Sequence, residues 1–232
     1  MDEHWQKQSE RLWQQAQERH GHRIRLRAKR DALWLWWPLA LLYKIATLGK
    51  GVDLLDGNYY GLIGYTIWMP GDGSKHSELP PHLWQSILSH EIDHLDARCF
   101  GDHDARNKEP QTLKTRGFLR QWFHQLLYVF WPFPYLVSRY REKIESWGHA
   151  RNLEQHIVSN HGKCSRWYRK WLILQFCGPT YMWMCSKKRA FAVTDRLIAE
   201  VEADLLAGKL DHLKPPNFTF KSNPPSSPPE SS

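Results

Sequence analysis

His90, Glu91 and His94 stand in the order His-Glu-Ile-Asp-His, an HExxH pattern. With 13 His and 12 Glu in 232 positions, chance supplies about 0.04 such matches in a chain of this size. The pattern therefore carries weight only together with its flanks. On a helix, histidines at i and i+4 project their imidazoles one turn apart. Both can then bind one tetrahedral zinc ion at about 2.0 to 2.1 Å, while the glutamate after the first His points at the coordinated water. The bland alternative is a set of core hydrogen bonds or one buried His–Glu pair.

A catalytic zinc takes three protein ligands and a water, so a further donor is expected downstream. In HExxHxxGxxH that donor is a His, but positions 97 and 100 are Ala97 and Phe100, which excludes the arrangement. His103 and Asp104 are near in sequence, yet they fall in a charged, Gly-bounded stretch that reads as a solvated loop. The remaining option is a Glu on a second helix. Glu145, 51 positions past His94, is the candidate, with Glu142 one turn earlier on nearly the same face. The ordinary role for either is a surface ion pair such as Arg141 with Glu145.

The elements that must position these groups follow from periodicity. Leu83, Trp84, Ile87, Leu88, Ile92 and Leu95 recur at helical spacing behind Pro80 and Pro81, which sit where a helix begins. Both histidines and Glu91 fall on or beside that apolar arc, and Ser86, Ser89, Asp93 and Asp96 fall on the side expected to be solvated. Upstream, Asn58 to Pro70 favours strands with two bend-forming glycines and reads as a hairpin. Its strand before the motif helix could hold an extended peptide by main-chain hydrogen bonds, or be purely structural. Downstream, a helix is expected from Ser138 to about Ser159.

Elsewhere, residues 1–20 read as a surface helix with a thin stripe of Trp5, Leu12, Trp13 and Ala16. Arg23 to Arg30 suits a half-exposed strand as well as a helix. Ala32 to Leu48 reads as a buried helix, or a pair broken at Pro38. An apolar segment beyond Gly117 breaks at Pro132-Phe133-Pro134, another breaks at Gly178-Pro179, and a closing helix runs from about Lys187 to Ala207. From Lys214 onward, six prolines and five serines in 19 residues cannot bury a core. The expected organisation is a basic N-terminal arm over 1–30, one α+β, mainly helical domain over 31–211, and a disordered tail over 212–232.

Length and a 41% hydrophobic content suit a single domain with a substantial core. A net charge of +8 with a sequence pI near 9.3 suits an anionic partner as well as simple solubility. Cys99, Cys164, Cys177 and Cys185 form no CxxC and are too few for a disulfide scaffold, which fits a reduced, cytoplasmic setting. The N-terminus is polar, without a secretory signal, and the longest apolar runs fall short of about 18 residues.

YTIWMP, LWQSILSHEIDHLDARCFG, LLYVFWPFPYLV and RYREKIESW, together covering about Tyr60 to Ala150, resemble small zincin-like metallopeptidases of bacteria and phages on the gluzincin side. In that family an Arg-rich turn leads into a helix whose Glu is followed by a small residue and an aromatic. The resemblance implies Glu145, before Ser146 and Trp147, as third zinc ligand, although the family's usual Ala-Tyr is Ser-Trp here. It further implies hydrolysis of peptide or protein substrates. Glu91 would accept the water's proton and pass it to the leaving amine. Tyr140, Arg141, His149 and Tyr181 are chemically able to stabilise the oxyanion, and Asp93 or Asp96 could orient a ligand imidazole.

Two readings from other classes compete. Arg23 to Arg30, Lys163 to Lys170 and Lys187 to Arg189 could dock a catalytically silent scaffold on nucleic acid, with Trp167 and Tyr168 stacking on bases. The Trp-rich apolar runs could instead rest on a membrane surface.

Overall fold

The computed structural model describes residues 2–102, 105, 108–129, 136–181 and 184–220. The chain is α+β and mainly helical, with one three-stranded sheet. Helix α1 (Asp2–Arg19) is followed by strand β1 (Arg25–Ala28) and helix α2 (Leu33–Ala46). Strands β2 (Gly61–Ile63) and β3 (Thr66–Met69) come next, then a single turn of helix, α3 (Ser74–Ser77). Helices α4 (Pro81–Cys99), α5 (Phe118–Val129), α6 (Leu136–Ser159), α7 (Arg166–Cys177) and α8 (Lys187–Leu206) complete the fold.

The expected hairpin is β2 and β3, antiparallel, with Leu62 opposite Ile67 and a turn at Gly64 and Tyr65. Gly64 has φ +61°, which a residue without Cβ adopts at little cost. β1 pairs in parallel with β3, Arg25 opposite Thr66, so the sheet order is β1-β3-β2. The strand that runs into the motif helix is thus central, with β1 and β2 at the two edges.

α4 starts at Pro81, where the missing proline N–H costs no helical hydrogen bond. It packs between α1 and α6. Leu88, Ile92 and Leu95 are fully or almost fully buried in a cluster with Leu12 and Ala16 of α1, and with Ile24 and Ile67. The second cluster joins α6, α7 and α8 through Leu153, Ile157, Leu172, Phe176, Val193 and Leu197, with Trp5 of α1 reaching into it. Ser165 and Ser186 cap α7 and α8 by accepting from the N–H of Tyr168 and Arg189.

Several expectations change. On the side of α4 assigned to solvent, Ser89, Asp93 and Asp96 are buried and Ser86 is half-buried. Asp96 receives Arg19 Nη2 at 3.2 Å from the end of α1 and His20 Nε2 at 2.7 Å from the residue after it, and Asp93 receives Arg151 Nε at 3.3 Å from α6. A helix packed on several sides satisfies its polar face with buried ion pairs instead of water. Residues 2–30 are no separate arm, because α1 and β1 supply core and sheet, and Lys29 is completely buried. α2 is continuous through Pro38, but of its residues only Trp36 is buried; Trp34 is 80% exposed. The chain stays packed past residue 212, with Leu213 buried and Phe218 against the α6–α8 core. Residues 221–232, the Pro132–Pro134 break, His103 and Asp104 lie outside the described residues. No described helix is long and apolar enough to cross a membrane.

Candidate metal centre

His90 and His94 rise from one face of α4 with ring centroids 4.4 Å apart. α6 crosses against them and supplies Glu145, whose Oε2 lies 3.7 Å from Nε2 of His90 and 3.7 Å from Nε2 of His94. The three ligand atoms lie within 4.8 Å of one another and could hold a metal ion. A tetrahedral ion about 2.05 Å from each ligand separates its ligand atoms by about 3.3 Å. The two 3.7 Å gaps to Glu145 need a contraction of a few tenths of an ångström, which small side-chain rotations supply. Glu145 is completely buried, so it is not half of a surface ion pair. Glu142 faces away and binds Arg189 of α8, with Oε1 2.8 Å from Nη2 and 3.1 Å from Nε.

The close approach of α6 depends on Gly148. A Cβ there would sit 2.7 Å from Cε1 of His90, inside van der Waals contact with the imidazole. One turn further on, Asn152 lies 3.1 Å from Nδ1 of His90, and Ser86 Oγ lies 3.0 Å from the Asn152 amide. For Nε2 to offer its lone pair to the cluster, Nδ1 must carry the proton. The Asn152 amide then presents oxygen to His90 and its NH2 to Ser86, whose hydroxyl accepts as readily as it donates. Asp93 and Asp96 bind Arg151, Arg19 and His20, as described above.

Electrostatics suit His90 and Glu145 to the ligand role. Burial, reinforced by His94 and His149, holds the His90 imidazole well below its ordinary range and keeps it neutral, the state a ligand needs. Burial works against Glu145, yet His94, His90 and His149 together hold its carboxyl well below the usual range, so it stays charged. Burial likewise opposes protonation of His94, and Glu145, followed by Glu91 and Asp93, outweighs it and raises that imidazole. Burial pushes Glu91 up to about 7, with Glu145 adding and His94 and Lys29 opposing. A cation at the centre would draw Glu91 back down.

His90, Glu91 and His94 open onto a cavity of about 890 Å³. Tyr59 to Ile63, including all of β2, line one part of it, and Tyr140, Arg141, Ile144 and His149 of α6 another. Of the four oxyanion candidates, Tyr140, Arg141 and His149 therefore border the cavity; the Tyr181 side chain lies outside the described ones. Lys29 braces the β2 approach from beneath by donating to the carbonyls of Leu54 at 2.5 Å and Tyr59 at 2.6 Å, with Trp36 against its ammonium. Asn152, Gly148 and Lys29 were not singled out by sequence reasoning. Only Gly148 left a signal there, since a glycine inside a helix costs about 1 kcal/mol and asks for a packing reason.

No protein-family model, curated protein or solved structure matches the chain.

Proposed function

We propose that the protein is a zinc-dependent peptidase of zincin-like, gluzincin-type arrangement, with His90, His94 and Glu145 as ligands and Glu91 as general base. The observation that carries this reading is Glu145 Oε2 at 3.7 Å from Nε2 of both motif histidines, which line one cavity together with Glu91. Two imidazoles and one carboxylate make a donor set that suits zinc, with a coordination position left for water. When bound, zinc supplies Lewis acidity, polarising a carbonyl and lowering the pKa of a water towards about 7.

The chain's own groups do the rest. Glu91 takes the proton of the attacking water and returns it to the leaving amine. Tyr140, Arg141 and His149 offer donors along the cavity wall for the charge developing on the carbonyl oxygen. β2, the edge strand that lines the cavity, offers an edge along which an extended peptide can lie.

The nucleic-acid reading finds less support. Lys29 is buried, Arg169 binds Asp195 at 2.7 Å, and Arg189 binds Glu142 at 2.8 Å. Tyr168 stacks on His156 with centroids 3.9 Å apart, leaving Trp167 as the exposed aromatic of its run.

The test is hydrolysis of a diverse peptide library by zinc-loaded protein, compared with Glu91→Gln. The variant should retain zinc and lose roughly 10²- to 10⁴-fold in turnover. Equal cleavage by both proteins would rule out Glu91 as the base, and a wild type that takes up no zinc would end the peptidase reading.

A further inference from the structure

The cavity mouth is apolar and faces outward. Leu42 and Ile45 of α2 line the cavity and are each 63% exposed. On α5, His124 and Gln125 line the same cavity, and the neighbouring Phe118, Leu119, Trp122 and Phe123 are exposed, Leu119 to 82%. Two apolar helices thus flank one opening with faces that nothing among the described residues covers.

Their charge is one-sided. Residues 32–52 contain Lys44 and Lys50 and no Asp or Glu; residues 110–141 contain five Lys and Arg and no Asp or Glu. Lys44, Lys50, Lys114 and Arg120 are exposed. A second copy of this chain would bring cations against cations across a two-fold axis, which disfavours a dimer here. Exposed tryptophan, phenylalanine and leucine framed by lysine and arginine match the boundary of a bilayer with anionic headgroups, where rings sit at headgroup level and cations meet phosphate and carboxylate. No described helix is suited to crossing that bilayer.

We propose that the exposed faces of α2 and α5 dock on an anionic phospholipid surface and hold the cavity mouth against it. Resting on the peptidase reading, this makes the substrates peptide segments presented at a membrane surface. Docking itself needs neither zinc nor Glu91.

The experiment is co-sedimentation of the full chain with phosphatidylcholine vesicles, with and without phosphatidylserine, at low and high salt, alongside tryptophan emission. The protein should pellet with the phosphatidylserine vesicles, leave them in high salt, and shift its emission to the blue on binding. The double variant Trp34→Ser/Leu119→Ser changes two residues at least four-fifths exposed, so the core is untouched; partition should fall roughly tenfold or more. Glu91→Gln should bind as wild type does. A wild type that stays in solution with phosphatidylserine vesicles overturns the proposal. So does a stable dimer in analytical ultracentrifugation that the double variant dissociates and vesicles leave intact. Full vesicle binding by a protein that takes up no zinc would uphold docking while removing the peptidase.

Discussion

At the scale of residues, the centre depends on groups that bind nothing themselves. Gly148→Ala would place a methyl 2.7 Å from Cε1 of His90, so either the imidazole rotates out of line or α6 withdraws with Glu145. Asn152→Ala removes the group that fixes the His90 tautomer. Losses of supporting partners of this kind typically cost 10- to 100-fold in metal affinity. Competition titration of zinc against a chromophoric chelator should therefore show Asn152→Ala weakened within that range and Gly148→Ala weakened at least as much. Wild-type affinity in both would mean that α6 does not hold His90 as described.

The motif itself was legible because HExxH is local, and i,i+4 geometry converts spacing into proximity without knowledge of the fold. The choice between Glu145 and Glu142 was not local. It turns on Arg189, 47 positions further on, which binds Glu142 and leaves Glu145 to the histidines.

At the scale of elements, periodicity located α4 and its proline start but misjudged its surroundings. Counting apolar positions assigns Asp93 and Asp96 to water. It cannot register that α1 brings Arg19 and His20 to the same place from 76 or more positions away. The converse case is α2, an apolar run that reads as buried although most of it is exposed; composition does not distinguish a core face from an exposed apolar one.

Asp96 is buried against Arg19 and His20, and its removal leaves the Arg19 guanidinium uncompensated in the core. Asp96→Ala should destabilise by about 3 to 5 kcal/mol, measured by urea unfolding. A loss below about 1 kcal/mol would show that water reaches this pair. His156 gives a pH-dependent test on α6 and α7. Its Nε2 accepts from the Ser165 N–H at 3.2 Å, and burial pulls its pKa down to about 4. The unfolded chain takes up this proton near 6.5 and the folded chain only near 4, so folding stability falls as pH drops through that window. Thermal unfolding of wild type and His156→Gln between pH 7 and 4 should converge as acid is added. Parallel curves would remove His156 from the account.

At the scale of the whole molecule, the candidate ligands bridge two bodies of core. His90 and His94 belong to the helix that packs against α1 and the sheet, whereas Glu145 belongs to the helix that carries α7 and α8. Ligand geometry exists only when both are assembled, so a metal bound there favours the folded state. At a free zinc concentration about 100 times Kd the gain is about 2.7 kcal/mol. For a chain of this size that corresponds to an upward shift in Tm of roughly 5 to 10 °C. His94→Ala and Glu145→Ala should lose the shift. Glu142→Ala, which breaks the bridge to α8 but spares the centre, should start from a lower Tm and keep it. Cys99, Cys164, Cys177 and Cys185 are free thiols and supply the necessary control, because adventitious zinc on them would raise or lower all four proteins alike. A shift that survives in both ligand variants would therefore place the metal elsewhere. One lost in both but kept in Glu142→Ala would tie it to the crossing of α4 and α6.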